Sequence, residues 1–260
     1  MNDNISSNFH ERSQRRQMRL EGVVLIAAHT ARSQAYLQAL IANQLYPERV
    51  IMLGGERPLE SRPRPSIDSW QGVNFPDLSE PLSLGCERAG IDITVCSADN
   101  VNADETVNCI MGLSPKIAIY SGAGGHIVSE RVLALGPRFL HMHSGWLPRY
   151  RGSTTIYYAL LEHELPGVTA LILDRSIDTG PIVARRHYAR PPFEVDVDRV
   201  YDSAIRADLL VRVMCDYARR GCLPTAEPQT SSPAMTYYVI HPVLKHLAIL
   251  SLSPGEAGVR

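Results

Sequence analysis

The segment 139–152 carries the densest set of polar side chains that could do chemistry. His141 and His143 are separated by one residue, within the apolar run that begins at Phe139. If that run is a β-strand, both imidazoles project to the same face, because side chains alternate with a period of two. Two imidazoles so placed can act as a general base and a hydrogen-bond donor, or as two metal ligands. Two hydrogen-bonded structural histidines are the plainer alternative.

A second group of interest lies in the segment 176–181, whose sequence SIDTGP predicts a tight turn between two strands. Its aspartate, Asp178, could orient a histidine or stabilise the positive charge on it, although such a turn can also have no catalytic role. His141, His143 and Asp178 would also make a sensible zinc ligand set with one position open for water. A metal-dependent hydrolase is therefore a rival function, while our preferred interpretation assigns no metal.

A glycine-rich turn, SGAGG at 121–125, follows another apolar run. Backbone N–H groups of such a turn can cradle an anion. The turn matches neither GxGxxG nor GxxxxGK[ST], and the first strand-to-helix turn, AHTARS at 28–33, contains no glycine. The sequence therefore disfavours a nucleotide-binding dehydrogenase and a P-loop enzyme. The glycines could equally serve only to allow a tight turn.

Short apolar runs that alternate with helical patterns must position these groups. Predicted strands lie at 23–28, 50–53, 91–96, 117–120, 139–142, 168–173 and 182–187. Predicted helices lie near 37–45, 104–113, 129–135, 155–164 and 198–219. This rhythm indicates an α/β fold, with a mostly parallel twisted sheet and helices on both faces. Both candidate turns and the histidine pair then fall at strand ends, where open α/β sheets place their ligands.

The amino-acid composition and net charge limit the classes of partner that we expect for the protein. The 260 residues are 45% hydrophobic and 20% charged, which is typical of a globular protein with a sizeable core. Lys and Arg total 26 against 27 for Asp and Glu, so the net charge of −1 predicts neither a nucleic-acid nor a membrane partner. The five scattered cysteines and the polar first 20 residues predict reduced thiols, no secretory signal and a cytoplasmic protein.

Taken together, these segments resemble a known protein family. The run LHMHSGWLPRYRGSTTIYYALL, followed by SIDTGPIVARR, resembles the folate-dependent formyltransferase family. Members share Asn-x-His-Pro-Ser near a strand end, a Leu-Pro-x-Tyr/Phe-(Arg)-Gly loop and a later Asp-x-Gly. The resemblance covers roughly residues 20–190 and implies a Rossmann-like formyltransferase fold. It implies a flexible leader at 1–19, a catalytic domain at 20–190, and a C-terminal helix and strand extension at 191–260 packed on the core.

The resemblance also implies roles. The family's catalytic histidine falls on His143 and its aspartate on Asp178, whereas His141 stands where the family has asparagine. Ser144-Gly145 replaces the family's Pro-Ser. In the family, an amine attacks the formyl carbon of 10-formyltetrahydrofolate, the asparagine and histidine stabilise the oxyanion, and the aspartate orients the histidine. A histidine can also donate to an oxyanion, so position 141 leaves open whether transfer is kept, altered or lost.

Binding residues follow from the same resemblance and from the loops. The resemblance assigns the folate pocket to Gly124, Gly125, His126 and Ile127 and to the turn with Ile177 and Asp178. We expect the acceptor to meet side chains of loops near the histidines. These candidates are His29, Arg32, Ser144, Trp146, Arg149 and Arg151.

The function expected from the sequence is formyl transfer from 10-formyltetrahydrofolate to the amine of a small metabolite, such as an amino sugar, an amino acid or a related biosynthetic intermediate. The glycine-free turn at 28–33 disfavours glycinamide ribonucleotide, and the 260 − 190 = 70 residues after the common core, in a chain that is not basic, disfavour methionyl-tRNA. A non-catalytic folate- or metabolite-binding homologue and a formyltetrahydrofolate hydrolase are further alternatives. The segment 237–242 predicts an edge strand or a dimer contact, which leaves a homodimer open.

Overall fold

The computed structural model describes residues 18–55, 65–229 and 235–253. Residues 1–17 of the predicted leader lie outside this range. The first strand begins at Met18, so Met18 and Arg19 belong to the sheet rather than to a leader. Among the described residues, no helix is long and apolar enough to cross a membrane.

The elements alternate along the chain. The strands are β1 Met18–Ala27, β2 Leu45–Leu53, β3 Ser69–Trp70, β4 Val73–Asn74, β5 Asp92–Cys96, β6 Ile117–Ser121, β7 Arg138–His143, β8 Tyr150–Gly152, β9 Gly167–Ile172, β10 Ile182–His187 and β11 Met235–Tyr237. The helices are α1 Ala31–Ala42, α2 Leu82–Ala89, α3 Asp104–Leu113, α4 Glu130–Leu133, α5 Thr155–Leu161, α6 Asp202–Arg220 and α7 Pro242–Leu250. A π-helical turn, Val197–Tyr201, leads into α6.

Seven strands form the central sheet, in the order β10-β9-β7-β6-β1-β2-β5. The five strands from β7 to β5 are parallel, β9 is antiparallel to β7, and β10 is antiparallel to β9. The predicted mostly parallel sheet is therefore confirmed. Two small sheets, β8 with β11 and β3 with β4, lie beside it.

Strand β1 explains why the sheet is covered on both faces. Its last five residues, 23–27, are all buried. Val23, Leu25 and Ala27 join the larger apolar cluster, which includes residues of α1 and α6. Val24 and Ile26 join a second cluster, which includes residues of α3. A continuous apolar run is what a strand buried on two faces requires.

Several observed elements differ from the ones that the sequence predicts. Residues 65–80 contain the β3–β4 hairpin, for which the sequence predicted no strand, and helix α2 was not predicted. The edge strand expected at 237–242 is β11 at 235–237, and it pairs with β8 rather than with the central sheet. Helix α6, in the predicted extension, packs against α1 and the sheet and supplies residues to the site.

Candidate active site

Strand β7 presents His141 and His143 at its carboxyl end, on the same face of the sheet. The turn between β9 and β10 brings Asp178 to them, and ligand atoms of the three residues all lie within 4.8 Å of one another. The side chains of His143 and Asp178 are nearly enclosed, with 6% and 10% of their surfaces exposed. The structure thus assembles the three predicted catalytic residues into one cluster.

Both ring nitrogens of His143 face oxygen atoms. Nε2 lies 2.7 Å from the carbonyl of Tyr150, and Nδ1 lies 3.4 Å from the Asp178 Oδ2. Burial lowers the pKa of His143 below its usual 6.5, while the Asp178 carboxylate opposes that shift. With the Nε2–H donating to Tyr150, Nδ1 is the basic atom, and a proton taken there is stabilised by Asp178.

The turn that holds Asp178 is fixed by its backbone. Asp178 has a φ of +55°, a left-handed conformation that Asp and Asn tolerate better than most residues. A Cβ on Gly180 would lie 1.8 Å from the carbonyl oxygen of Ile172, so glycine is required there. The side chain of Gln229 donates to the carbonyl oxygens of Asp178 and Gly180, each at 2.8 Å. This network sets the carboxylate where Nδ1 of His143 can meet it.

Strand β8 supplies backbone partners to the side chains of both His143 and Asp178. Its Tyr150 carbonyl accepts from His143, and the N–H of Gly152 donates to Asp178 Oδ2 at 2.8 Å. Strand β11 pairs with β8, and the carbonyl of Tyr237 accepts from Ser153 N at 2.9 Å. A Cβ on Gly152 would meet that carbonyl at 2.1 Å. The C-terminal segment is therefore built against the strand that orients the site.

We expect Gly145→Ala to disturb the site through His143. A Cβ at this position would lie 2.5 Å from His143 Nε2 and 2.5 Å from the Tyr150 carbonyl, so the hydrogen bond between them must break or shift. We expect a loss of about 1–3 kcal/mol in the free energy of unfolding, measured by urea titration, and a changed His143 imidazole resonance by NMR. Gly112→Ala in α3, where nothing lies within 4 Å of the added Cβ, is the control. An unchanged resonance in Gly145→Ala would contradict this account of the loop.

His141 lies in a different electrostatic environment. Its Nδ1 is 3.4 Å from the carbonyl of Tyr120, a long contact that does not fix the tautomer. Burial holds the pKa of His141 well below 6.5, and the nearby guanidiniums of Arg32 and Arg206 lower it further. His141 is therefore neutral at physiological pH, and its ring can donate one hydrogen bond.

Two arginines stand beside this histidine, and only Arg32 was among the predicted site residues. Arg32, in the first turn of α1, donates from Nε to Ser121 Oγ at 3.2 Å and from Nη2 to the Gly122 carbonyl. Arg206, on α6, donates from Nη1 to the Met142 carbonyl at 3.0 Å, and its Nε lies 2.9 Å from an oxygen of Asp202. The sequence contains a signal for the pair Asp202 and Arg206: an acid and a base lie four residues apart in a segment whose apolar residues have helical spacing.

The predicted folate-binding residues occupy two neighbouring turns. Ile127, after the glycine-rich turn, is 60% exposed, and Ile177, beside Asp178, is 53% exposed. An ion pair between Glu130 and Arg175, at 3.4 Å, links the two segments. A Cβ added at Gly124 or Gly125 would have no described atom within 4 Å, and the carbonyl of His126 accepts from the Tyr120 hydroxyl. Two exposed apolar side chains thus lie on segments that this ion pair connects, and one of them is next to Asp178.

The other predicted acceptor-binding residues have partners within the chain. The Trp146 ring stacks on His187 at 3.9 Å, and Arg149 forms ion pairs with Glu162 and Glu164, each at 2.7 Å. Three further residues of this group lie in or near the site. His29 Nε2 lies 2.7 Å from the Gly55 carbonyl, Arg151 donates to Gln229 at 2.8 Å, and Ser144 is buried with no hydrogen-bond partner for its hydroxyl among the described residues.

Comparison with known proteins identifies the family. Residues 77–208, half of the chain, match the family described as formyl transferase. The chain belongs to the formyl transferase family. The matched range contains His141, His143, Asp178 and Arg206 of this formyltransferase domain, while Arg32 precedes it. The resemblance drawn from the sequence is therefore confirmed at the level of the family.

Curated relatives of this formyltransferase domain are methionyl-tRNA formyltransferases. That of Chloroflexus aurantiacus is 34% identical over 147 residues, which are 55% of this chain and 46% of the relative. That of Thermodesulfovibrio yellowstonii is 27% identical over 189 residues, 70% of this chain and 58% of the relative. The chain thus spans about half the length of the curated relatives it matches.

Solved structures show the same fold. A sugar N-formyltransferase from a Shewanella species superimposes with a TM-score of 0.53 at 14% identity, covering 88% of this chain and 87% of the other. An N-formyltransferase from Helicobacter canadensis, solved with folinic acid and dTDP-3-aminofucose, has a TM-score of 0.51 at 16% identity and covers 88% and 80%. The Rossmann-like fold expected for this formyltransferase domain is confirmed.

Proposed function

We propose that the protein transfers a formyl group from 10-formyltetrahydrofolate to the amine of a small metabolite. The observation that carries the proposal is the buried His143, whose Nδ1 lies 3.4 Å from the Asp178 carboxylate and whose Nε2 is bound to the Tyr150 carbonyl. Formyl transfer needs a base that takes a proton from an attacking amine and then returns it. A buried imidazole beside a carboxylate has that capacity at neutral pH.

The reaction follows from these positions. The amine nitrogen attacks the formyl carbon, and His143 accepts the amine proton at Nδ1, where the Asp178 carboxylate stabilises the imidazolium. The tetrahedral oxyanion accepts a hydrogen bond from the neutral ring of His141, the role that the resemblance gives to asparagine. Such donors are worth about 3–4 kcal/mol in comparable acyl-transfer sites. Collapse breaks the carbon–N10 bond, and the proton on His143 passes to N10 of the departing tetrahydrofolate.

The two linked turns offer a surface for the folate. The exposed apolar side chains of Ile127 and Ile177 provide contacts to a flat heteroaromatic ring, and the glycine-rich turn leaves room for one. The name of the Helicobacter canadensis relative records folinic acid, which is also a formylated tetrahydrofolate. These observations support 10-formyltetrahydrofolate as the co-substrate.

A metal-dependent hydrolase is the second candidate, because the ligand atoms of His141, His143 and Asp178 lie within 4.8 Å of one another. Charge opposes it. The guanidiniums of Arg32 and Arg206 already lower the pKa of His141, and they would repel a divalent cation bound to the same ring. We therefore favour proton transfer over metal ligation at this cluster.

The direct test is calorimetric titration of purified, metal-analysed protein with a stable analogue of 10-formyltetrahydrofolate. We expect micromolar binding without metal, followed by formylated product when amines are supplied with the natural donor, detected by mass spectrometry. Methionyl-tRNA belongs in the panel because the curated relatives carry that name. Absent binding with stoichiometric zinc would favour the hydrolase. Folate binding without turnover would favour a non-catalytic homologue, and formate release without an amine would indicate hydrolysis.

A further inference from the structure

The surroundings of His141 contain two guanidiniums but only one arginine–carboxylate pair. Arg206 lies against Asp202, whereas the partners of Arg32 among the described residues are the hydroxyl of Ser121 and the carbonyl of Gly122, both neutral. Burial lowers the pKa of Arg32, and the charge of Arg206 lowers it further. A guanidinium removed from water is stable when an anion accepts its hydrogen bonds. Arg32 therefore has no carboxylate among its hydrogen-bond partners in the described chain.

Free donors of both arginines remain accessible. A guanidinium has five N–H donors, and Arg32 uses Nε and Nη2 while Arg206 uses Nη1 and places Nε at Asp202. Arg32 Nη1 makes no hydrogen bond within the described chain, and neither it nor Arg206 Nη2 is among the fully enclosed unpartnered atoms of that chain, although the Arg206 guanidinium also interacts with the Tyr36 hydroxyl. These two nitrogens can therefore donate to a ligand that enters from solvent.

The arginines also lie next to the reacting groups. Arg206 donates to the carbonyl of Met142, the residue between the two histidines, and both arginines act electrostatically on His141. Neither carboxylate of the cluster accepts a hydrogen bond from Arg32: Asp178 faces His143, and Asp202 lies against Arg206 with its Oδ1 unpartnered in the described chain. An anion bound by Arg32 and Arg206 would thus lie beside His141, close to where the attacking amine must stand.

We propose that Arg32 and Arg206 bind an anionic group, a carboxylate or a phosphate, carried by the acceptor amine. This inference rests on the proposed function and narrows the acceptor to amines that bear a negative charge near the reacting nitrogen. Guanidiniums recognise both anions through paired, charge-assisted hydrogen bonds. The two sources are distinguished by the probes used below.

The test compares matched amines that differ in one anionic group. L-amino acids are compared with their primary amides, and glucosamine 6-phosphate with glucosamine, by titration into the full chain without folate. We expect the anionic member of at least one pair to bind about ten-fold more tightly or better. Preference within the amino-acid pairs identifies a carboxylate, and preference within the sugar pair identifies a phosphate.

Three variants test whether Arg32 and Arg206 cause the preference for anionic amines. Arg32→Gln keeps an amide donor for the neutral partners and should abolish the preference, while Arg206→Lys keeps a charge beside Asp202 and should reduce it. Arg219→Gln, an exposed arginine on the same helix paired with Asp216, is the control and should keep it. Thermal unfolding of each variant checks the fold.

Two outcomes would overturn the inference. One is the absence of any preference for the anionic amines, or a preference that survives in Arg32→Gln. The other is an Arg32→Gln variant whose affinity falls for the folate analogue and not for the amines, which would place the anion on the folate. A failure of the proposed function gives a different result from a failure of this inference. In that case anionic amines bind through these arginines, but no formyl group is transferred to them.

Discussion

Replacing His143 by asparagine should nearly abolish formyl transfer while leaving the folate analogue bound. An asparagine amide can donate a hydrogen bond to an oxyanion, but it cannot accept a proton at neutral pH. The substitution therefore separates the base from the donor, and we expect kcat to fall by about 10²–10⁴-fold. The measurement is single-turnover release of tetrahydrofolate, together with calorimetric titration of the analogue.

His141→Asn is the matched comparison, because it makes the same chemical change two residues away on the same strand. It also introduces the residue that the resemblance predicts at this position. The role of His141 as a neutral donor is one that an amide can fill, so we expect a loss of less than about ten-fold. Equal losses in the two variants would mean that His141 is also a base or a metal ligand, and would shift weight to the hydrolase.

The second large effect is expected for Asp178→Asn. Asparagine tolerates the left-handed backbone at this position, and its side-chain oxygen can still accept from the Gly152 N–H, so the fold should persist. The charge that stabilises the His143 imidazolium is lost, and we expect kcat/KM to fall by about 10²–10³-fold. Asp174→Asn, an exposed carboxylate in the same turn, is the control.

The pH profile gives Asp178→Asn a second readout. Activity requires neutral His143, so kcat/KM of the wild type should fall as the pH drops through the His143 pKa, which burial holds below 6.5. The Asp178 carboxylate raises that pKa, and removing its charge should move the acid limb to lower pH. Full turnover with an unmoved limb would remove the assigned role of Asp178 in orienting and stabilising the histidine.

Local sequence patterns predict much of this fold. The helix at 104–113 and the strand at 182–187 have the expected bounds, because each has a clear period and is delimited by turn residues. Helix α2 was not predicted because it is short and contains Gly85 in its middle. A helix of eight residues has little periodicity to detect, and glycine is a poor helix former.

Some features of the site can likewise be predicted from the local sequence, whereas others depend on tertiary packing. The spacing of His141 and His143 predicts a shared face, since it depends only on the geometry of one strand. The Tyr150 carbonyl could not be predicted as a partner of His143, because every residue has a carbonyl and only the folded loop selects one. The spacing of Asp202 and Arg206 indicates only an ion pair on a helix. The position of Arg206 beside Met142, 64 residues earlier in the chain, depends on how α6 packs and could not be predicted from the local sequence.

The partners of surface side chains are equally non-local. The sequence predicts that Trp146 contacts a substrate, and in the structure its ring stacks on His187, which comes 41 positions later in the chain. Arg149 meets Glu162 and Glu164 in the same manner. Residue type alone indicates that an indole or a guanidinium will find a partner, and only the tertiary structure decides whether that partner is internal.

The pairing of β8 with β11 has a consequence for how the protein is made. The ribosome releases the chain from its N-terminus, so all seven strands of the central sheet, up to His187, emerge before Tyr237 does. At about 5–20 residues per second, the 237 − 187 = 50 residues between them take about 2.5–10 s to synthesise. During that interval the nascent chain holds its histidines and Asp178 without the strand that braces Tyr150 and Gly152. The proposed site is therefore completed only after the whole central sheet has been synthesised.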